Sequence, residues 1–87
     1  METIKHKILR NICYTELVYQ RINKKLGMAF SKFEIEILIR KVLEDTALEN
    51  YEKIGKNFYI INKHHNITVT INTSTFRVIT VNRIKKE

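Results

Sequence analysis

Along the first third of the chain, apolar positions recur every four or three residues. Ile4, Ile8, Ile12, Thr15, Tyr19, Ile22 and Leu26 fall on one stripe of a helix, and Leu9, Cys13 and Leu17 widen it. The spacing predicts helix from about residue 3 to about residue 26. Asn11 and the pair Tyr14-Thr15 leave open whether this is one helix or two, since Thr15 followed by Glu16 suits a new start. Lys24 and Lys25 match the negative end of the helix dipole, and Gly27 is free to take the left-handed conformation that closes a helix.

A second helix is predicted over residues 32–44. Ser31 stands as N-cap with Glu34 three residues on as its reciprocal partner, and Phe30 is placed to pack on Ile35 across the cap. Phe33, Ile35, Ile37, Leu38, Ile39, Val42 and Leu43 cover more than half of its circumference, so it is expected to be the most buried element. Thr46 and Glu49 repeat the capping spacing and suggest a short further turn.

From Tyr51 the period shifts towards two, and β-branched and aromatic residues dominate. Strands are predicted over residues 51–54, 58–62, 67–72 and 76–84. Ile67, Val69 and Ile71 alternate with Thr68, Thr70 and Asn72, the pattern of a strand with one face in the core and one in water. The predicted class is α+β: two or three N-terminal helices packed on one face of a three- to four-stranded antiparallel meander.

The length of 87 residues leaves too little apolar surface for two cores, so residues 1–87 are read as one domain. Hydrophobic residues at 44% of the chain place it among sequences that fold rather than among disordered ones. The longest aliphatic run is Ile37 to Ile39, which excludes a membrane-spanning helix and gives no signal-peptide core, and a cytoplasmic protein is expected. The single cysteine, Cys13, excludes a disulfide framework and is expected to be a buried, inert thiol.

The net charge of +7 is unevenly spread. Residues 1–30 carry six bases against two acids, residues 31–54 carry four against six, and residues 55–87 carry six against one. Two basic ends flank an acidic middle. Clustered Lys and Arg gain affinity for phosphate backbones by releasing counterions, which points to nucleic acid. The residues singled out for contact are Arg77, Arg83, Lys85, Lys86, Lys24 and Lys25, with Tyr59 on an open sheet as a stacking surface of the kind small RNA-binding sheets use. That picture favours RNA over DNA.

The pair His64-His65, in the polar loop between two predicted strands, is the most enzyme-like feature, because imidazole titrates near neutral pH. Adjacent residues point apart, and neither His6 nor Cys13 has a ligand spacing, so no metal and no cofactor is expected. The glycine-rich phosphate loop, the nucleophile elbow and the paired-carboxylate motif are all missing from the sequence. The balance lies against an enzyme.

Two blocks carry a family resemblance: residues 11–26 (NICYTELVYQRINKKL), and residues 50–59 (NYEKIGKNFY) continued by residues 70–80 (TINTSTFRVIT). Together they resemble a family of short bacterial proteins, also found on mobile elements, catalogued as a domain of unknown function. The resemblance covers residues 11–84 and implies a bacterial or phage-borne origin, but it transfers no site. The leading expectation is a small, basic, non-enzymatic module that engages nucleic acid or a nucleoprotein complex. One alternative is a phage or mobile-element inhibitor, anti-CRISPR-like, acting by protein contact. Another is a metal-independent, mRNA-cleaving toxin, for which Arg77 and His64 are the residues to test.

Overall fold

The apolar stripe of the first 26 residues is divided between two helices, α1 (Ile4–Asn11) and α2 (Glu16–Leu26), in the computed structural model, which describes residues 2–84. The division has a tertiary cause. The Cys13 N–H donates to the Phe76 carbonyl at 3.0 Å, and the Cys13 carbonyl accepts from the Val78 N–H at 2.9 Å. These two bonds form a short parallel bridge to the edge of the sheet. They pair the N–H and carbonyl of Cys13 outside either helix, while the Ile12 N–H still bonds back to the Ile8 carbonyl at 2.8 Å.

Straightening those residues also resets the helical phase. Val18, Ile22 and Leu26 face the core, whereas Leu17 is 72% exposed. Cys13 is exposed as well, and its Sγ lies 3.5 Å from the Thr75 carbonyl oxygen. The expected buried thiol is therefore corrected: the residue belongs to an edge bridge, not to a helix face.

Gly27 closes α2 in the left-handed conformation with φ 65°, and the Met28 N–H reaches back to the Asn23 carbonyl at 2.9 Å. The Asn23 side chain then pairs with both backbone groups of Phe30 at 2.9 Å, which fixes the turn into α3 (Lys32–Glu44). The capping box of Ser31 and Glu34 forms as expected, and the Ser31 N–H donated to its carboxylate holds Glu34 below the ordinary carboxyl range. The burial expected of α3 needs correction. Ile35, Ile39, Val42 and Leu43 are buried, but Phe33 is 72% and Ile37 51% exposed. Only one side of α3 meets α1, α2 and the sheet.

A 3-10 turn, Leu48–Asn50, leads into the strands β1 (Tyr51–Ile54), β2 (Asn57–Asn62), β3 (Ile67–Asn72) and β4 (Val78–Arg83). They pair antiparallel in chain order, forming a meander with β1 and β4 at its two edges. The register Ile60↔Val69↔Val81 puts one set of side chains under the helices, and Tyr59↔Thr70↔Thr80 puts the other on the opposite face. The core joins Ile8, Val18, Ile22, Ile35, Ile39, Val42 and Leu43 of the helices to Phe58, Ile60, Val69, Ile71, Val78 and Val81 of the sheet. Three helices followed by a four-stranded antiparallel sheet match the predicted class.

The predicted last strand starts two residues too early. Phe76 takes a positive φ of 58°, and a bulge follows as the β3–β4 register shifts next to Ile79. A left-handed phenylalanine is a strained backbone state. It is held by the Phe76 N–H bond to the Asn72 carbonyl at 3.0 Å and by the Cys13 bond to its own carbonyl.

Candidate nucleic-acid interface

Helix α2 runs alongside β4 in the same direction. At one end the Arg21 guanidinium donates to the Ile79 carbonyl at 3.4 Å; at the other the Arg83 guanidinium donates to the Leu26 carbonyl at 2.9 Å. Arg83 thus satisfies a free carbonyl at the negative end of α2, while Arg21 covers a polar group on the open edge of the sheet. Between helix and strand lies a shallow groove of about 210 Å³ lined by Thr15, Leu17, Val18, Arg21, Arg77, Val78 and Ile79. A second hollow follows the outer face of the helix along Leu17, Gln20, Arg21, Lys24 and Lys25.

The irregular backbone explains how Arg77 reaches this place. It sits between the left-handed Phe76 and the bulge near Ile79, in the one residue pair that bridges to Cys13. Its carbonyl accepts from the Asn72 N–H at 2.9 Å, and its side chain is left exposed beside Arg21. Arg77, Arg21, Lys24, Lys25 and Arg83 then form a strip whose length is set by β4, about 20 Å for six residues.

No acid lines the groove or the second hollow, although Glu16, exposed in the first turn of α2, stands one turn before Gln20 on the outer side of the helix. Several of the described acids are engaged elsewhere. Glu2 pairs with Arg10 at 2.6 Å, Glu16 with Lys32 at 2.7 Å, and Glu36 accepts the Tyr19 hydroxyl at 2.7 Å. Burial and then that carboxylate push the Tyr19 phenol up to about 12. Glu44, Glu49 and Glu52 lie on the end of α3, the 3-10 turn and β1. β1 is the opposite edge of the sheet, three strand spacings or about 14 Å from β4. Arg21, Lys24 and Lys25 from the first basic segment and Arg77 and Arg83 from the last therefore lie along α2 and β4, whereas Lys5 donates to the carbonyls of Glu44 and Thr46 and Arg10 pairs with Glu2.

Lys24, Lys25, Arg77 and Arg83 of the expected contact set share the strip. Lys85 and Lys86 lie outside the described residues. Tyr59 is on the other face of the sheet, across from Glu52 and Thr70, with its hydroxyl 3.4 Å from the Asn57 amide. Arg21 and Leu17 complete the strip and were not in that set. Their signal was present, because residues 17, 21, 24 and 25 share the polar side of the α2 stripe once its phase is known.

The histidines sit elsewhere. Their loop is at the Ile67 end of β3 and Arg77 is opposite the Asn72 end, about 17 Å away along the strand. His65 Nε2 lies 2.9 Å from an Asp45 carboxylate oxygen, and this hydrogen bond holds the Asp45 carboxyl below its ordinary value. The same loop is anchored by Asn62, whose amide accepts the His65 N–H at 2.8 Å and donates to Thr46 Oγ1 at 2.9 Å. Thr46 and Asn62 both donate to the Val42 carbonyl, Tyr51 to the Leu43 carbonyl, and Lys5 to the Glu44 carbonyl. The network satisfies the free carbonyls that end α3. Its geometry serves packing. Among the described residues no cluster of three metal-ligating side chains occurs, and no helix is long and apolar enough to cross a membrane.

A family model described as "Protein of unknown function (DUF3781)" matches residues 6–82. The chain belongs to the DUF3781 family. The matched span opens in α1 and closes in β4, so the DUF3781 unit is the helix-and-sheet body itself, with Arg21, Lys24, Lys25 and Arg77 inside it and Arg83 one residue beyond. No curated protein and no solved structure is significantly similar to this chain.

Proposed function

We propose that this DUF3781 protein is a small, basic, non-enzymatic module that holds nucleic acid, alone or within a nucleoprotein complex, against the α2–β4 strip. The observation that supports this reading is the placement of two guanidinium groups, Arg21 and Arg77, in one groove with no lining acid. Like charges left side by side repel each other, and a phosphate backbone turns that cost into binding free energy by neutralising them and releasing its counterions. The strained backbone around Arg77 adds support, because such conformations persist where the surrounding structure holds a side chain in a required position. The setting that fits a basic module of this size is the cytoplasm of a bacterium or the gene set of a mobile element.

The experiment is a mobility shift with fluorescein-labelled RNA and DNA at low and moderate salt. A salt-sensitive complex at micromolar protein is expected. No complex with either nucleic acid at low salt would sink the reading.

A second reading, an inhibitor that docks on a host or phage-defence protein, is favoured by one observation. Phe33 and Ile37 stand one turn apart on α3, and both are more than half exposed. Pull-down from a nuclease-treated bacterial lysate separates the two readings, since a protein contact survives the nuclease and a nucleic-acid bridge does not.

A further inference from the structure

We infer that the nucleic acid is duplex DNA and that α2 enters its major groove. This rests on the nucleic-acid reading of the strip and narrows it to one ligand class.

The first argument is geometric. Val18, Ile22 and Leu26 turn one side of α2 into the core, and the residues exposed on the other side are Glu16, Leu17, Gln20, Arg21, Lys24 and Lys25, spaced by three and four, with Glu16 at the margin paired to Lys32. Half of the helix circumference is thus free over its whole length of about 16 Å. A helix about 10–12 Å across fits the B-form major groove, about 12 Å wide, whereas the major groove of A-form RNA is too narrow and deep for side chains to read.

The second argument is the lack of a stacking platform on the strip. Single strands are held largely by bases stacked on aromatic faces. No aromatic side chain lines the groove or the outer face of α2. Tyr14 and Tyr19 stack on each other at 5.4 Å, with Tyr19 tied to Glu36, and Tyr59 is on the far face of the sheet. The exposed Phe33 belongs to α3, next to Glu34.

The third argument is the mixture of side chains. A purely electrostatic surface has no use for Leu17, 72% exposed amid bases, or for Gln20. In a major groove both have partners: an apolar side chain meets the thymine methyl, and Gln pairs with the N6 and N7 edge of adenine. Arg21 matches guanine O6 and N7, while Lys24, Lys25 and Arg77 are left for phosphates.

The test measures the full chain by fluorescence anisotropy against four probes of one 20-nucleotide sequence: duplex DNA, single-stranded DNA, single-stranded RNA and duplex RNA. Duplex DNA is expected to bind at least about tenfold tighter than the other three, the margin lost when base-edge contacts are absent. Equal or tighter binding of RNA or of single strands overturns the inference and leaves the broader reading intact, whereas no binding of any probe removes both. Dimethyl sulfate methylation of guanine N7, which lies in the major groove, is the second readout. Protection that disappears in Gln20→Ala and Arg21→Gln, both with wild-type circular dichroism, supports the inference. Unprotected N7 on a bound duplex overturns it.

Discussion

Replacing Arg77 by Gln isolates the electrostatic part of the proposed interface. The Arg77 side chain is exposed and donates no hydrogen bond among the described residues, and its structural role is carried by backbone groups that the substitution keeps. Stability should therefore change by no more than about 0.5 kcal/mol. Binding should change in a way set by counterion release. With about three phosphate contacts, from Lys24, Lys25 and Arg77, the slope of log affinity against log salt on duplex DNA is about −2.7, and raising salt from about 50 to about 200 mM weakens binding about 40-fold. In Arg77→Gln the slope is about −1.8 and the same change weakens binding about 12-fold. Anisotropy titrations at four or five salt concentrations resolve a slope difference of this size. An unchanged slope in the variant would show that Arg77 touches no phosphate, and the reasoning that joins the groove to the helix face would fail with it.

Three further outcomes test the architecture that positions the strip. Gly27→Ala should lower stability by about 1 kcal/mol in urea denaturation, entirely through the left-handed backbone, because nothing lies within 4 Å of the added methyl. Asn62→Ala should cost about 1–3 kcal/mol, since it strips a partner from the His65 N–H and from Thr46 inside the packed end of α3; a loss below about 0.3 kcal/mol would mean water replaces the amide freely. Asp45 is held below its ordinary value of 3.8 by the hydrogen bond from His65, so its contribution to stability is fully present above that pH and is lost as pH falls through the depressed folded value. The urea midpoints of wild type and Asp45→Asn should therefore converge as pH is lowered, and a gap that widens on acidification would contradict the pairing.

The elements were legible where local signals agree. The Ser31 capping box, the glycine stop at Gly27 and the inward Ile67, Val69 and Ile71 each act within a few residues and appear at their expected places, although Thr70, expected to face water, is buried as well. Three of the misread positions have a common cause. Cys13, Leu17 and Phe76 all lie at or beside the parallel bridge of Cys13 to Arg77, a contact spanning 64 positions in the chain. Phe33 and Ile37 fit the apolar pattern of α3 equally well whether the helix is wrapped on all sides or on one. Only the number of neighbouring elements distinguishes those cases.

The same division runs through the candidate site. Two basic ends and an acidic middle are properties of the chain, as are the helices, the strands and their polar faces, because charge and periodicity need no partner to exist. That Arg21 and Arg77 share a groove, that Arg83 closes α2 and that Tyr59 faces away were decided when α2 was laid along β4. Packing of Val18, Ile22 and Leu26 against Val78 and Val81 sets that alignment. Hydrophobic burial has no direction of its own, so which polar groups end up together follows from how the apolar faces meet.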